Sequence, residues 1–353
     1  MFNDLGLDHV EFYVKDADSA AGDFAGRYGF DVFAATADTE AATYSVALGT
    51  RDIRMVMTEA RTEDHAATAY VQAHGDGPAN IALRTGNARA AYAEAVRRGA
   101  RSAAGPREVD GYVLATIVGF GDVLHTFVER PSDRDSRQLP GFADIDRKST
   151  RDAGLVAMDH FAVCLEAGTL ADVVRFYKSV LDFRSIFTER IVVGSQAMNS
   201  EVVRSISGEV TLTLIEPDLT CDPGQIDEFV KNHGGAGVQH IAFSSEDIAG
   251  SVGTLVAGGV CFLDTPDVYY NLLVERLEVA RHPIEKLRDL RVLVDEDHDG
   301  QLFQIFTKST HPRRTLFFEM IERAGARTFG SGNIKALYEA AEAERLNLAG
   351  QHV

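Results

Sequence analysis

The chain has 353 residues, 45% hydrophobic and 25% charged, long enough for two domains and too apolar for wholesale disorder. Its 53 acidic against 35 basic residues give a formal charge of −18. That field repels phosphate backbones and anionic lipid, arguing against nucleic-acid or membrane binding, and an anionic substrate would need local help such as a metal cation.

Met1-Phe2-Asn3-Asp4 lacks a basic segment leading into an apolar one, and no apolar run reaches the roughly 18 residues of a membrane span. Leu7-Asp8-His9-Val10 then opens a β-rich run, and Gly75-Asp-Gly-Pro-Ala-Asn80-Ile81-Ala82 leads into another strand. Both recur. Met158-Asp159-His160-Phe161 matches the first at an offset of 151, and Gly235-Ala-Gly-Val-Gln-His240-Ile241-Ala242 matches the second at 160. Gly99 and Pro106 fall on Gly259 and Pro266 at the same offset, and Val128-Glu129-Arg130 falls on Ile321-Glu322-Arg323. Three ordered matches make the chain two diverged copies of one unit, the second enlarged.

Each copy reads as an α+β unit of paired βαβββ modules. Leu170 to Leu181 has apolar residues at helical spacing, Val210 to Ile215 alternates β-branched and apolar residues, His240 to Ser244 reads as a strand, and Asp247 to Gly258 as a helix. Residues 1–130 form the first domain and 155–353 the second. Between them Pro131 to Gly154 is rich in Asp, Arg, Ser and Pro and reads as a surface linker. After Gly330-Ser-Gly332, Asn333 can cap a terminal helix running to about Leu346. Cys164, Cys221 and Cys261 are an odd set without CxxC spacing, which fits a reducing, cytoplasmic setting.

Three polar residues of the second copy sit where a strand normally carries apolar ones: His160, His240 and Glu319. A carboxylate amid Leu-Phe-Phe-Glu-Met-Ile is costly to bury unless a cation or hydrogen bonds compensate. Two imidazoles and one carboxylate suit a facial-triad Fe(II) site with open coordination positions. Any one of these histidines alone would read as a satisfied core residue. The first copy, however, has His9, Asn80 and Thr126 at the matching places, so two of the three ligands are missing there as a set. One metal per chain is expected. Asp295-Glu-Asp297-His-Asp299-Gly300 imitates a calcium loop, but its twelfth position is Phe306. Neither glycine-rich turn is a dinucleotide fingerprint, and no nucleophile elbow is present.

Pro223-Gly-Gln225-Ile-Asp-Glu-Phe229, Gly237-Val-Gln239-His240-Ile-Ala-Phe243, Gln301-Leu-Phe-Gln304-Ile-Phe306, Phe317-Phe318-Glu319 and Phe329-Gly-Ser-Gly-Asn333-Ile334 together carry a resemblance. The chain resembles the 4-hydroxyphenylpyruvate dioxygenase family, of the vicinal oxygen chelate superfamily, over nearly its whole length. The resemblance implies an Fe(II) oxygenase whose partners are a small molecule, 4-hydroxyphenylpyruvate, and O2, with homo-oligomerisation left open. The family's two activities share decarboxylation. They then diverge, one attacking the ring to give homogentisate, the other hydroxylating the benzylic carbon to give 4-hydroxymandelate.

The family's dioxygenase strand commonly reads Ile-Pro-Leu-Asn-Glu and its terminal motif Gly-Asn-Phe. Here Thr213 and Ile215 replace the Pro and Asn, and Ile334 the Phe, all three in the manner of the mandelate-forming activity, which is therefore expected. By resemblance Ser200, Thr213, Gln225, Gln239 and Gln304 form a polar substrate wall beside Asn333. Phe318, Phe329 and Ile334 form an apolar one, Ile215 is a further substrate-binding position at which the family's Asn is absent, and the last helix acts as a lid. Two rival readings are an extradiol catechol dioxygenase and a metal-free binding protein of the same superfamily. The Gln304 and Asn333 motifs oppose the first, and the retained triad opposes the second.

Overall fold

The computed structural model describes residues 1–38, 40–132, 137–330, 332–333 and 335. Ile334 and the terminal helix expected beyond it lie outside the described residues. The first repeat runs β1 (Gly6–Tyr13), α1 (Ala17–Tyr28), β2 (Asp31–Thr36), β3 (Thr43–Thr50), β4 (Ile53–Ala60), α2 (Ala66–His74), β5 (Gly77–Arg84), α3 (Ala88–Arg97), β6 (Ser102–Val109), β7 (Tyr112–Phe120) and β8 (Val123–Glu129). After β9 (Phe142–Arg147) the second repeat runs β10 (Leu155–Cys164), α4 (Leu170–Val180), β11 (Arg184–Val193), β12 (Gln196–Arg204), β13 (Thr211–Pro217), α5 (Gln225–His233), β14 (Gly237–Ser245) and α6 (Ile248–Ala257). It closes with α7 (Asp267–Arg276), α8 (Ile284–Asp289), β15 (Leu293–Asp297), β16 (Gly300–Phe306) and β17 (Phe317–Ala324).

Among the described residues the strands form two mixed sheets. One has the order β6-β7-β8-β5-β1-β4-β3-β2-β9 and the other β11-β12-β13-β10-β14-β17-β16-β15. Read from opposite ends and without β9, the two orders are the same, so the α+β vicinal oxygen chelate fold is built twice. Every module repeats one local device. A glutamate near the end of its last strand accepts the first free N–H of its helix: Glu59 from Ala17, Glu129 from Ala88, Glu216 from Leu170 and Glu322 from Ile248, at 2.7 to 3.0 Å. A carboxylate at a helix N-terminus satisfies an orphan donor and complements the helix dipole.

Two sequence expectations need correction. The 131–154 segment is not wholly a loop, because β9 pairs antiparallel with β2 at the sheet edge. Its charged composition hid it, since a strand paired on one side needs little apolar character. Nor do Pro106 and Pro266 correspond. Pro106 lies in β6, whereas Pro266 precedes α7. The two helices α7 and α8 are an insertion of the second repeat, and the repeat correspondence resumes at β15.

The core continues between the repeats. Phe318 on β17 packs edge-on to Phe24 and Tyr28 of α1 at 5.3 and 5.5 Å, and stacks on Phe243 at 5.5 Å. No described helix is long and apolar enough to cross a membrane.

Candidate metal centre

His160, His240 and Glu319 come from three adjacent strands, β10, β14 and β17, and their ligand atoms lie within 4.8 Å of one another. Register explains the convergence. Ala242 pairs with His160 on one side and with Glu319 on the other, and His240 lies two residues before it on the same face. Two β-bulges complete the arrangement. Skipping Asp159 in the β10–β14 pairing sets Asp159 beside His160, and skipping Gln239 lets both Gln239 and His240 face the cavity.

All three side chains are buried, Glu319 to 1% exposure. Glu319 Oε2 lies 3.2 Å from His160 Nε2 and 3.3 Å from His240 Nε2. His160 Nδ1 donates to Asp159 at 2.8 Å, which turns its Nε2 into the cavity. Arg323 grips Asp159 with two parallel bonds of 2.8 Å. Burial disfavours charge on His160, yet Glu319 and then Asp159 outweigh it and lift the imidazole to about 9. Burial would likewise raise Glu319, but the two histidines bring it down to about 2. His240 is held below its ordinary value by burial.

Three electron-pair donors aimed at one buried point repel unless a cation stands among them. A proton on His160 meets that need in part, and a divalent metal meets it fully. The donor set of two nitrogens and one oxygen, with His160 oriented from behind by a carboxylate, fits a transition metal.

The cavity beside the triad is lined by Ser200, Thr213, Ile215, Gln239, Gln304 and Phe329, and also by Ile191, Met198 and Phe306. The last three carry no sequence signal, because an apolar residue in a strand reads the same whether it faces a core or a ligand. Thr213 Oγ1 and His240 Nδ1 are buried without a protein partner. Three expected wall residues lie elsewhere. Phe318 faces the core between the repeats, since it neighbours Glu319 on a strand and must point the opposite way; Phe317 is the residue that stacks on His240, at 4.9 Å. Gln225 begins α5 and is not part of the lining. Asn333, wholly buried, donates to Gln304 rather than facing the cavity. Asp297 of the calcium-like loop has its carboxylate committed to the backbone N–H groups of Asp299, Arg327 and Thr328, so it ties down the turn before Phe329.

The first repeat keeps the scaffold but not the triad. Asp8 accepts from His9 at 2.7 Å and pairs with Arg130, as Asp159 does with His160 and Arg323. At the matching ligand places Asn80 donates to Thr126 at 2.9 Å and to Glu11 at 3.2 Å, and Glu11 also accepts from Thr58. The cup satisfies itself. Replacing His9 with Ala is therefore expected to leave the metal content of the loaded protein unchanged, as read by elemental analysis after desalting. Metal lost in that variant would mean that the first repeat takes part in binding.

Residues 157–305 match the family model described as Glyoxalase/Bleomycin resistance protein/Dioxygenase superfamily. Residues 2–148 match that described as Hydroxyphenylpyruvate dioxygenase, HPPD, N-terminal. The 4-hydroxyphenylpyruvate dioxygenase of Dictyostelium discoideum is 34% identical over 362 residues, spanning 96% of this chain and 98% of that protein. The enzyme of the same name from Pyricularia oryzae is 31% identical, spanning 97% and 91%. Among solved structures, a triple mutant of 4-hydroxymandelate synthase from Streptomyces coelicolor is 41% identical with a TM-score of 0.88, spanning 97% of this chain and 99% of that one. Matched in both halves and along nearly the full length of these relatives, the chain belongs to the 4-hydroxyphenylpyruvate dioxygenase family.

Proposed function

We propose that the chain is an Fe(II)-dependent 4-hydroxymandelate synthase, converting 4-hydroxyphenylpyruvate and O2 to 4-hydroxymandelate and CO2. Iron held by His160, His240 and Glu319 would supply a Lewis-acid and redox centre that receives the keto acid and oxygen. The lining of the cavity contains no Lys or Arg among the described residues. In a chain of charge −18, the cation is then the natural anchor for the substrate carboxylate. Gln239, Ser200 and Thr213 offer hydrogen bonds around the substrate, while Ile191, Met198, Ile215, Phe306 and Phe329 exclude water and fix the ring.

The observation that carries the product choice is Ile215, 6% exposed in the cavity wall, where the dioxygenase pattern has Asn. An aliphatic wall offers the phenol no hydrogen bond at that point, and so allows a ring placement with the benzylic carbon nearest the reacting oxygen. Homogentisate formation is the second reading, favoured by the names of the curated relatives. The deciding experiment loads the protein anaerobically with Fe(II), adds 4-hydroxyphenylpyruvate and then oxygen, and separates the products. 4-Hydroxymandelate is expected. Homogentisate as the main product would overturn the synthase reading, and cleavage of catechol with 4-hydroxyphenylpyruvate ignored would replace it with the extradiol one.

Ile215→Asn is expected to lower the yield of 4-hydroxymandelate per oxygen consumed. A new amide hydrogen bond is worth about 1 kcal/mol, and about 1.4 kcal/mol between competing barriers changes a product ratio tenfold. A shift of roughly fivefold is therefore anticipated in the chromatographic ratio at matched oxygen uptake. An unchanged ratio would remove Ile215 from the steering of the reaction.

A further inference from the structure

Glu319 has a second oxygen, and its surroundings differ from those of the metal-facing one. Oε1 accepts from Gln304 Nε2 at 2.9 Å; Gln304 Oε1 accepts from Asn333 Nδ2 at 3.0 Å; Asn333 Oδ1 accepts from the Tyr269 hydroxyl at 3.0 Å. The hydroxyl oxygen in turn accepts from the backbone N–H of Val294 at 2.8 Å. The polarity of this chain is forced from one end. A carboxylate only accepts, so Gln304 must present its NH2 to it and its carbonyl to Asn333, and Asn333 must then present its carbonyl to Tyr269.

The Tyr269 hydroxyl has one hydrogen and two acceptors in reach. The Val294 carbonyl, 2.9 Å away, already receives the Arg276 guanidinium at 2.8 Å. Asn333 Oδ1 has the greater need. Burial pushes the Tyr269 phenol up to about 12, so it remains a donor throughout the neutral range. Gln304, Glu319 and Asn333 are at most 2% exposed, and bonds among such groups are strengthened by exclusion of water. At Gly330, whose φ is +65°, any Cβ would collide with Gln304 Oε1. The backbone at Gly330 thus packs directly against the Gln304 amide.

Two of the three relay residues, Gln304 and Tyr269, have no counterpart in the first repeat. Gln304 pairs with Ile321 as Leu114 pairs with Val128, so the repeat without the triad has a leucine there. Tyr269 belongs to α7, which is part of the insertion peculiar to the second repeat. The scaffold pair Asp–Arg is kept in both repeats, whereas the relay occurs only where the triad does.

We propose that Tyr269 is a positioning residue for Glu319, acting through Asn333 and Gln304 to hold the carboxylate in its metal-facing rotamer. The insertion that carries α7 thereby supports the metal centre. The inference rests on the metal reading of the triad, and it makes docking of Gly332–Asn333 and binding of the metal mutually favourable, because coupling between two events is reciprocal.

The test measures anaerobic Fe(II) affinity by titration calorimetry for the wild type, Tyr269→Phe, Gln304→Leu and the double variant. Tyr269→Phe is expected to weaken Fe(II) about three- to tenfold, less than the roughly 10–100-fold typical of groups bonded directly to a ligand, because it acts through two intervening amides. In the Gln304→Leu background, where the relay is already cut, the same change should cost nothing further. Tyr270→Phe, one residue along the same helix and outside the relay, should bind as the wild type does. If the wild type takes up no Fe(II), the metal reading itself fails. If it binds while Tyr269→Phe matches it, or if the losses simply add, the positioning role is overturned. Should Tyr269→Phe not fold, Asn333→Asp sets two acceptors against each other at Gln304 and must weaken Fe(II) by more than tenfold; wild-type affinity there would also overturn the proposal.

Discussion

Glu319→Ala is expected to abolish turnover and to leave the anaerobically loaded, desalted protein without iron. The carboxylate is the single anionic member of the triad, so its loss removes both a ligand and the charge that offsets the cation. The residue is 1% exposed, and among the described residues no other carboxylate lines the cavity. Removal also leaves Gln304 Nε2, its 2.9 Å partner, as a buried donor without an acceptor, a cost of about 1–3 kcal/mol. The expected loss of Fe(II) affinity exceeds the roughly 10–100-fold typical of residues behind the ligands. Elemental analysis and oxygen uptake read the two effects separately. A variant that retains iron and consumes oxygen with substrate would remove Glu319 from the site.

The triad was legible in the sequence because a buried charge is an exception that strands rarely tolerate, and because the first repeat supplied an internal control at each position. The doubled fold was legible for the same reason. The walls of the cavity were less so. Ser200, Thr213, Ile215, Gln239, Gln304 and Phe329 came from motif resemblance and do line the cavity, yet the same motifs also offered Phe318, which faces the core. The period of two would have excluded it, since a residue adjacent to an inward Glu319 must point outward. Ile191, Met198 and Phe306 had no distinguishing pattern. Strand β9 was hidden by charges suited to a sheet edge, and Asn333 presented itself as a helix cap when its side chain serves Gln304. Tyr269 was beyond reach, because its partner lies 64 residues away and only the fold makes them neighbours.

The two Asp–Arg pairs allow structure and function to be separated within one molecule. In each, an arginine grips the aspartate that orients the adjacent histidine: Arg130 with Asp8 at 2.5 and 2.8 Å, and Arg323 with Asp159 at 2.8 Å twice. Removing one partner of a buried pair strands the other, at a cost of about 3 kcal/mol or more. The Asp8 side chain is 0% exposed and Asp159 16%, so Arg130→Met should destabilise the protein more than Arg323→Met. Burial alone would raise both carboxyls. The hydrogen bonds from histidine and arginine outweigh it and hold them well below the ordinary value of 3.8. A depressed folded value means that each pair contributes fully above about pH 4, and that its contribution is lost as pH falls through the folded value. The stability gap between wild type and either variant should therefore be complete at neutral pH and narrow in acid. Iron should follow the opposite order. Arg323 also donates to the Thr328 carbonyl at 2.7 Å and lies 5.0 Å over the Phe329 ring, which meets His160 edge-on at 5.1 Å. Its loss releases His160 of the triad and the cavity wall together. Arg323→Met is expected to weaken Fe(II) at least tenfold, while the less stable Arg130→Met binds as the wild type does. Thermal unfolding across pH, set beside anaerobic Fe(II) titration, reads both orders. If iron affinity simply tracked stability across the two variants, the orienting role of the Asp159–Arg323 pair would be lost, and it would be a fold tie like its counterpart.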